Sequence, residues 1–307
     1  MTGIQAAFKK GFFAIVLLAG VNSQAFSFPV IVTDDRGKEI TLTETPRRIV
    51  SMAPTHTELL FLLGLEKEVL GVTSYCTYPE AAKQKEKIGG FAEFDIEKII
   101  AADPDLVLSL GTIQLPAVKE LEKRGKKVFW IYPRTVSDIL ASFERVGQLA
   151  GKGREAKQLR EKLEKNVKAV RDSLGVIPDN KRPTIFRVMG INPPATIGAD
   201  SFQSDAFYLA GGKNAFGDVQ KDFFEVDARE LVKRDPDVIL ICGNDEKTAK
   251  QKLLDNPGYN NLTAVKKGSV LVIPCDLTCR PGPRVIELVE RIARYLHHEK
   301  FSNKTEH

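Results

Sequence analysis

The sequence predicts an α/β protein of two similar lobes, each with a mainly parallel sheet flanked by helices, joined by one long helix with a ligand cleft between the lobes. Three observations predict it. Strand-like runs alternate with helix-like runs along most of the chain, the order that builds parallel sheets with helices on both faces. The tripeptide Asp-Pro-Asp occurs at 103–105 and again at 235–237, each time between a helix-like and a β-rich run, so the lobes read as two copies of one plan. Between the copies, Leu159, Leu163, Val167, Val170 and Leu174 recur every three or four residues among Arg, Lys and Glu. That is an amphipathic helix over 154–174, about 30 Å long. Glu161 with Lys165 and Glu164 with Lys168 have the acid-first spacing that supports its solvated face.

The elements follow in order. Lys9 and Lys10 precede an apolar run over 11–20, and small and polar residues continue to 27. This reads as a cleavable secretory signal, too short to span a membrane. No Cys follows the run to accept a lipid, so the mature chain is expected to start near residues 26–28 and to be soluble in the periplasm of a bacterium. Residues 28–33 and 39–43 form a hairpin around Asp34-Asp35-Arg36-Gly37. Strand 48–51, a helix capped by Thr55 or Thr57 and ending at Gly64, strand 69–73, helix 96–102, strand 106–110, helix 115–124, strand 127–132 and helix 136–150 complete an N-terminal lobe over 28–150. The connecting helix lies in 151–176. Beyond it, strand 184–189, a Gly/Pro-rich loop over 190–199, helix 204–210, a helical run over 226–233, strand 238–242, helix 248–254, strand 269–273, a loop over 274–283 and helix 284–295 form the C-terminal lobe over 177–300. A short tail covers 301–307.

Composition narrows the function. The chain has 307 residues, 43% hydrophobic and 28% charged, enough for about two domains with real cores. A net charge of +5 in mixed signs, with no basic block, argues against nucleic acid. His56 is the only histidine before the last eleven residues, at a helix start where a surface or capping role is expected. No flanked nucleophile serine, Rossmann fingerprint or P-loop accompanies it, so no catalytic residue, cofactor or metal site is assigned. Of the four cysteines, Cys242 sits in an apolar run as a core thiol, while Cys76, Cys275 and Cys279 lie in loops and leave disulfide pairing open.

Ligands in such sheets bind beyond the carboxyl ends of the strands. The loops there offer Tyr75, Tyr78, Phe91, Phe94, Phe223 and Phe224, with Asn192 and Arg280 as polar contacts and Arg284 as a further charge. Such a surface suits a large, flat, mostly uncharged ligand.

These residues also carry a resemblance. FRVMGINPPATIGADSFQSDAFYLAGGKNAF over 186–216, with RIVSMAPTHTELLFLLG, GVTSYCTYP and IEKIIAADPDLVL, resembles the periplasmic cobalamin (vitamin B12)-binding proteins of ABC importers, members of the helical-backbone (class III) periplasmic binding protein group. The resemblance covers about residues 46–297. The framework is shared with siderophore and haem binders, while GINPP and the Tyr of GVTSY are more particular to the cobalamin branch. It implies a monomer that holds a corrinoid between two lobes with little hinge motion and docks on a permease dimer, meeting the membrane only there. By position, Pro54, Tyr75, Phe91, Asn192, Phe223 and the loop Asp276, Leu277, Thr278, Cys279 and Arg280 line the ligand. Phe91 and Phe223 stand where relatives can have Trp, and the DLTCR loop lacks an aromatic that some relatives carry. Glu97 matches the docking glutamate of the first lobe; the second falls at Arg229 by strict spacing, with Glu230 beside it taken as the docking residue. The alternatives are a ferric siderophore or haem binder of the same fold, and an exported two-lobed enzyme with an Asp or Glu near the cleft as acid or base.

Overall fold

The computed structural model describes residues 28–301. The signal expected over 1–27, and the tail beyond its first residue, lie outside the described residues. The chain opens with the expected hairpin, β1 (Val30–Thr33) paired to β2 (Glu39–Leu42). Its turn is held by the Asp34 carboxylate, which accepts from the Arg36 and Lys38 amides at 2.8 and 3.0 Å, while Gly37 takes φ +80°.

The first lobe contains β3 (Ile49–Ser51), α1 (Pro54–Leu62), β4 (Val69–Val72), β5 (Glu86–Lys87), α2 (Ile96–Ala101), β6 (Leu106–Leu110), α3 (Leu115–Lys123), β7 (Val128–Ile131) and α4 (Val136–Leu149). Its sheet runs β5-β4-β3-β6-β7, parallel throughout. After α5 (Gly153–Leu174) come β8 (Thr184–Val188), β9 (Gly190–Ile191), β10 (Pro194–Ile197), α6 (Phe202–Leu209), β11 (Lys213–Asn214), β12 (Phe223–Glu225), α7 (Ala228–Arg234), β13 (Val238–Cys242), α8 (Glu246–Leu254), α9 (Thr263–Lys266), β14 (Val270–Ile273), α10 (Cys275–Thr278), α11 (Val285–Leu296) and α12 (His298–Phe301). The second parallel sheet runs β11-β8-β13-β14, the same plan as β4-β3-β6-β7.

The repeated Asp-Pro-Asp does one job twice. Asp103 and Asp235 end α2 and α7 with φ of 43° and 36°, the only non-glycine residues with positive φ among those described. The third residue of each tripeptide then ties down the start of the neighbouring strand. Asp105 accepts from the Arg47 and Arg48 amides at 2.8 and 3.0 Å, and Asp237 accepts from the Thr184 amide at 2.7 Å.

Helix α5 buries Ala156, Leu163, Val170 and Leu174 and half-buries Leu159 and Val167, so the predicted stripe is its packed face. One continuous apolar core runs from the first sheet through α4, α5, α6 and α11 into the second. The expected acid-first pairs on α5 are replaced by Arg160 with Glu164 at 2.8 Å and Lys168 with Asp172 at 2.5 Å. Arg160 also reaches Glu144 of α4 at 3.1 Å, which turns the register toward the neighbouring helix.

Three local expectations are corrected. Helix α1 starts at Pro54 with Ala53 as an uncapped N-cap, because Thr55 and Thr57 already lie inside it and Thr57 turns its hydroxyl back to the Ala53 carbonyl. The 190–199 segment is no open loop: β9, β10 and β12 form an antiparallel sheet in which Thr196 faces Phe224. That pairing also makes a strand of the segment containing Phe223. Strands of two or three residues are too short to show a period in sequence.

Candidate functional site

The loops after β3, β5 and β6 are held at the carboxyl end of the first sheet by Gln114, which is fully buried. Its carbonyl accepts from Ser109 Oγ at 2.8 Å and from the Leu110 amide at 2.9 Å, while its Nε2 donates to the carbonyls of Met52 and Phe91 at 2.9 and 3.0 Å. All of its amide capacity is spent on positioning. Phe91, half-buried, is thus fixed by its own backbone. Tyr75 is 58% exposed and its ring edge approaches Gly90. Tyr78 is 48% exposed and carries the Arg284 guanidinium over its ring at 4.4 Å.

In the second lobe, β12 sorts its two aromatics by the pleat. Phe223 points out, 54% exposed, while Phe224 packs edge-on against Phe216 at 5.8 Å. The loop of Asn192, exposed, is anchored by the buried Tyr259, whose hydroxyl donates to the Gly190 carbonyl at 2.7 Å. Pro54, Leu277 and Thr278 are buried, and Thr278 donates its hydroxyl to the Pro274 carbonyl at 2.8 Å. Their side chains serve the core rather than an open surface. Asp276 and Cys279 remain accessible on the same turn.

The lobes meet at two sets of contacts that sequence reasoning missed. Glu58 of α1, 3% exposed, accepts two hydrogen bonds from Arg284 at 2.7 and 2.9 Å and one from Arg280 at 3.2 Å. Glu58 holds the Arg284 pKa above its ordinary value. Arg280 also donates to the Tyr75 carbonyl at 2.9 Å and pairs with Asp276 at 2.7 Å. The second set joins Tyr132 to Asp222 at 2.8 Å, Arg134 to Asp200 at 3.2 Å and the Val136 amide to Asp205 at 2.8 Å. Burial, with the hydrogen bond to Asp222, pushes the Tyr132 hydroxyl up to about 12. Arg280, expected to face a ligand, is therefore an interlobe clamp. Its partner is 222 residues away, and no local pattern announces it.

Of the disulfide pairings left open, none is formed: Cys76 is buried, with the Thr57 and Thr73 hydroxyls each 3.2 Å from its sulfur, and all four cysteines are free thiols. One further expectation changes. His56 is fully buried, because α1 presents no exposed face over Pro54 to Leu60, and burial lowers its pKa to about 4. The unfolded chain takes up a proton near pH 6.5 that the folded chain refuses until about pH 4. This contribution to stability is complete above pH 6.5 and is lost as pH falls toward 4. Between pH 7 and 4.5 the loss is on the order of 2 kcal/mol. In urea unfolding, a His56→Leu variant should show a correspondingly flatter acid limb; an unchanged limb contradicts this.

Glu97 and Glu230 occupy equivalent helices of the repeat, α2 and α7, each just after a capping aspartate, Asp95 or Asp227. Glu97 is exposed and pairs with Arg124 at 2.6 Å, which keeps its carboxyl below the usual range; Glu230 pairs with Arg234 at 2.9 Å. Arg229 pairs with Asp227 of its own cap at 2.9 Å.

Comparison with known proteins places this geometry in context. Residues 49–277 match the family model described as periplasmic binding protein. The chain is 30% identical over 304 residues to an uncharacterised ABC transporter substrate-binding lipoprotein of Bacillus subtilis, covering 94% of this chain and 95% of that one. It is 28% identical over 284 residues to a cobalamin-binding protein of Halobacterium salinarum, covering 89% and 76%. Among solved structures, an ABC-type Fe3+-hydroxamate transport system from Saccharomonospora viridis superimposes with a TM-score of 0.71 at 26% identity, over 90% of this chain and 99% of that one.

Proposed function

The chain belongs to the periplasmic binding protein family, and from that premise we propose that it captures cobalamin or a related corrinoid between its lobes and delivers it to an ABC transporter permease. It is an ABC-type substrate-binding protein of the two-lobed, helix-connected class, and on this reading it turns nothing over and holds the corrinoid as cargo. The observation that carries the corrinoid reading is the contrast on the strand-end loops. Tyr75, Tyr78 and Phe223 stand exposed there, while Arg280 and Arg284 are already committed to Glu58 and Asp276. A corrin ring rimmed by neutral amides needs apolar faces and backbone partners; haem propionates or an anionic catecholate siderophore need free cations. The site residues are Tyr75, Phe91, Asn192 and Phe223, with Asp276 and Cys279 accessible on the neighbouring turn.

A neutral ferric hydroxamate is the second reading, favoured by the Saccharomonospora viridis likeness. Gel filtration after incubation with cyanocobalamin, haemin or a ferric trihydroxamate separates them. The corrin absorption band should co-elute with protein at one equivalent, and retention of the hydroxamate in its place would replace this reading with the second.

On this reading Glu97 and Glu230 meet the permease, one from each lobe. The Glu97→Ala, Glu230→Ala double variant should bind corrinoid unchanged and lower permease-dependent uptake about tenfold or more. Equal uptake would remove both residues from docking.

A further inference from the structure

The two lobes share a plan, but the carboxyl ends of their central strands are filled differently. The offset that relates Asp103 to Asp235 also relates Gly111 to Gly243, and the two amides do the same job, donating to the carbonyls of Ile131 and Ile273 at 2.9 and 3.0 Å. In the first lobe the crevice beside this glycine is closed by the buried Gln114, which bonds Met52, Ser109 and Leu110. Strand register gives the counterparts of these three. Ser51 lies opposite Leu108 and Arg187 opposite Leu240, so Met52, Ser109 and Leu110 correspond to Val188, Ile241 and Cys242. The residue at the offset of Gln114 is Glu246, which is exposed and pairs with Lys250 of its own helix. The buried amide is not reproduced, and Val188, Ile241 and Cys242 instead line an open cavity of about 440 Å³.

The lining of this cavity divides by chemistry. Val188, Met189, Ile191 and Ile241 make an apolar floor, while Asn244, Thr248 and Lys252, all exposed, make a polar rim. Asp245, also on the rim, is spent on capping α8, where it accepts from the Lys247 amide at 3.1 Å and from the Thr248 hydroxyl. The side chains of Asn244 and Lys252 have no hydrogen-bond or ion-pair partner among the described residues. Lys252 is the one cation of the lining. One wall is the segment of Gly190 and Ile191, anchored by the Tyr259 hydroxyl on the Gly190 carbonyl at 2.7 Å, and the next residue along it is Asn192 of the candidate site.

We propose that this cavity is the subsite for the nucleotide arm of a complete corrinoid, with the heteroaromatic base on the apolar floor and the phosphodiester on Lys252. The inference rests on the corrinoid reading. The amide-rimmed periphery of the ring carries no anion, and the phosphodiester of the arm is the one anionic group outside it. A single unpaired ammonium matches a single phosphodiester, and neither Lys252 nor Asn244 gives up a protein partner to bind it. Asn244 offers its amide to the ribose hydroxyl. Haem, with two propionates, and a catecholate siderophore, with several charges, present more anions than one lysine meets. The position fits as well, because α/β sheets receive ligands beyond the carboxyl ends of their strands, and the Asn192 loop joins the cavity to the site where the ring is held.

The test is calorimetry on the purified full-length chain with cyanocobalamin and with dicyanocobinamide, which keeps the ring and lacks the arm. The unaltered chain should hold cobalamin about tenfold or more tighter than cobinamide. Lys252→Met should weaken cobalamin about fivefold or more and leave cobinamide within about twofold of its original affinity. Met189→Trp, which fills the cavity with a ring, should show the same selective loss. Equal affinity of the unaltered chain for the two corrinoids, unchanged cobalamin affinity in both variants, or equal losses for both corrinoids overturns the subsite and leaves the corrinoid reading standing. Binding of neither corrinoid at micromolar concentrations overturns the reading and the subsite together.

Discussion

Replacing Glu58 with Gln is expected to lower the stability of the chain by about 3–5 kcal/mol, the cost of leaving buried charges without their partner. Glu58 is 3% exposed and satisfies Arg284 twice and Arg280 once, so its neutralisation leaves the Arg284 guanidinium at the lobe contact without a carboxylate and Arg280 with Asp276 alone. An exposed ion pair would be worth about 0–1 kcal/mol. Urea unfolding separates the two regimes. A loss below about 1 kcal/mol would reduce the clamp to a surface contact.

Gly147→Ala in α4 is expected to destabilise by about 1–3 kcal/mol, although helix propensity alone predicts a gain of about 0.5–1 kcal/mol for the same change. The sign decides between packing and propensity. A Cβ at 147 would stand 2.3 Å from the Ala156 Cβ and 2.9 Å from the Lys152 carbonyl oxygen, both rigid, where α4 turns into α5. The methyl can be housed only by parting the two helices, which is where the connecting helix is anchored to the first lobe. A fall in thermal midpoint supports the close helix contact, and a rise contradicts it.

The long helix, the alternating units and the duplicated tripeptide were legible because each leaves a local trace. A stripe at helical spacing, a β-rich run and a helix-stopping Asp are set by a residue's own neighbours. Helix α1 was marked at its ends by Thr55, Thr57 and Gly64, but its burial left no such trace. Its segment has polar and apolar residues in no stripe, and Pro54 to Leu60 are buried all round, Glu58 and His56 included, because they sit where the lobes join. The roles of Arg280 and Glu58 depend on residues more than two hundred positions apart. Aromatics on strand-end loops were visible in sequence, but the pleat of β12 decides that Phe223 is presented and Phe224 withdrawn.

The most direct measurement is a calorimetric titration of the purified chain with cyanocobalamin, repeated on a Tyr75→Ala, Phe223→Ala double variant. One-to-one binding at micromolar or lower Kd is expected, weakened about tenfold or more in the variant as the two exposed rings are removed. No heat of binding at micromolar concentrations, or identical affinity in the variant, would contradict it.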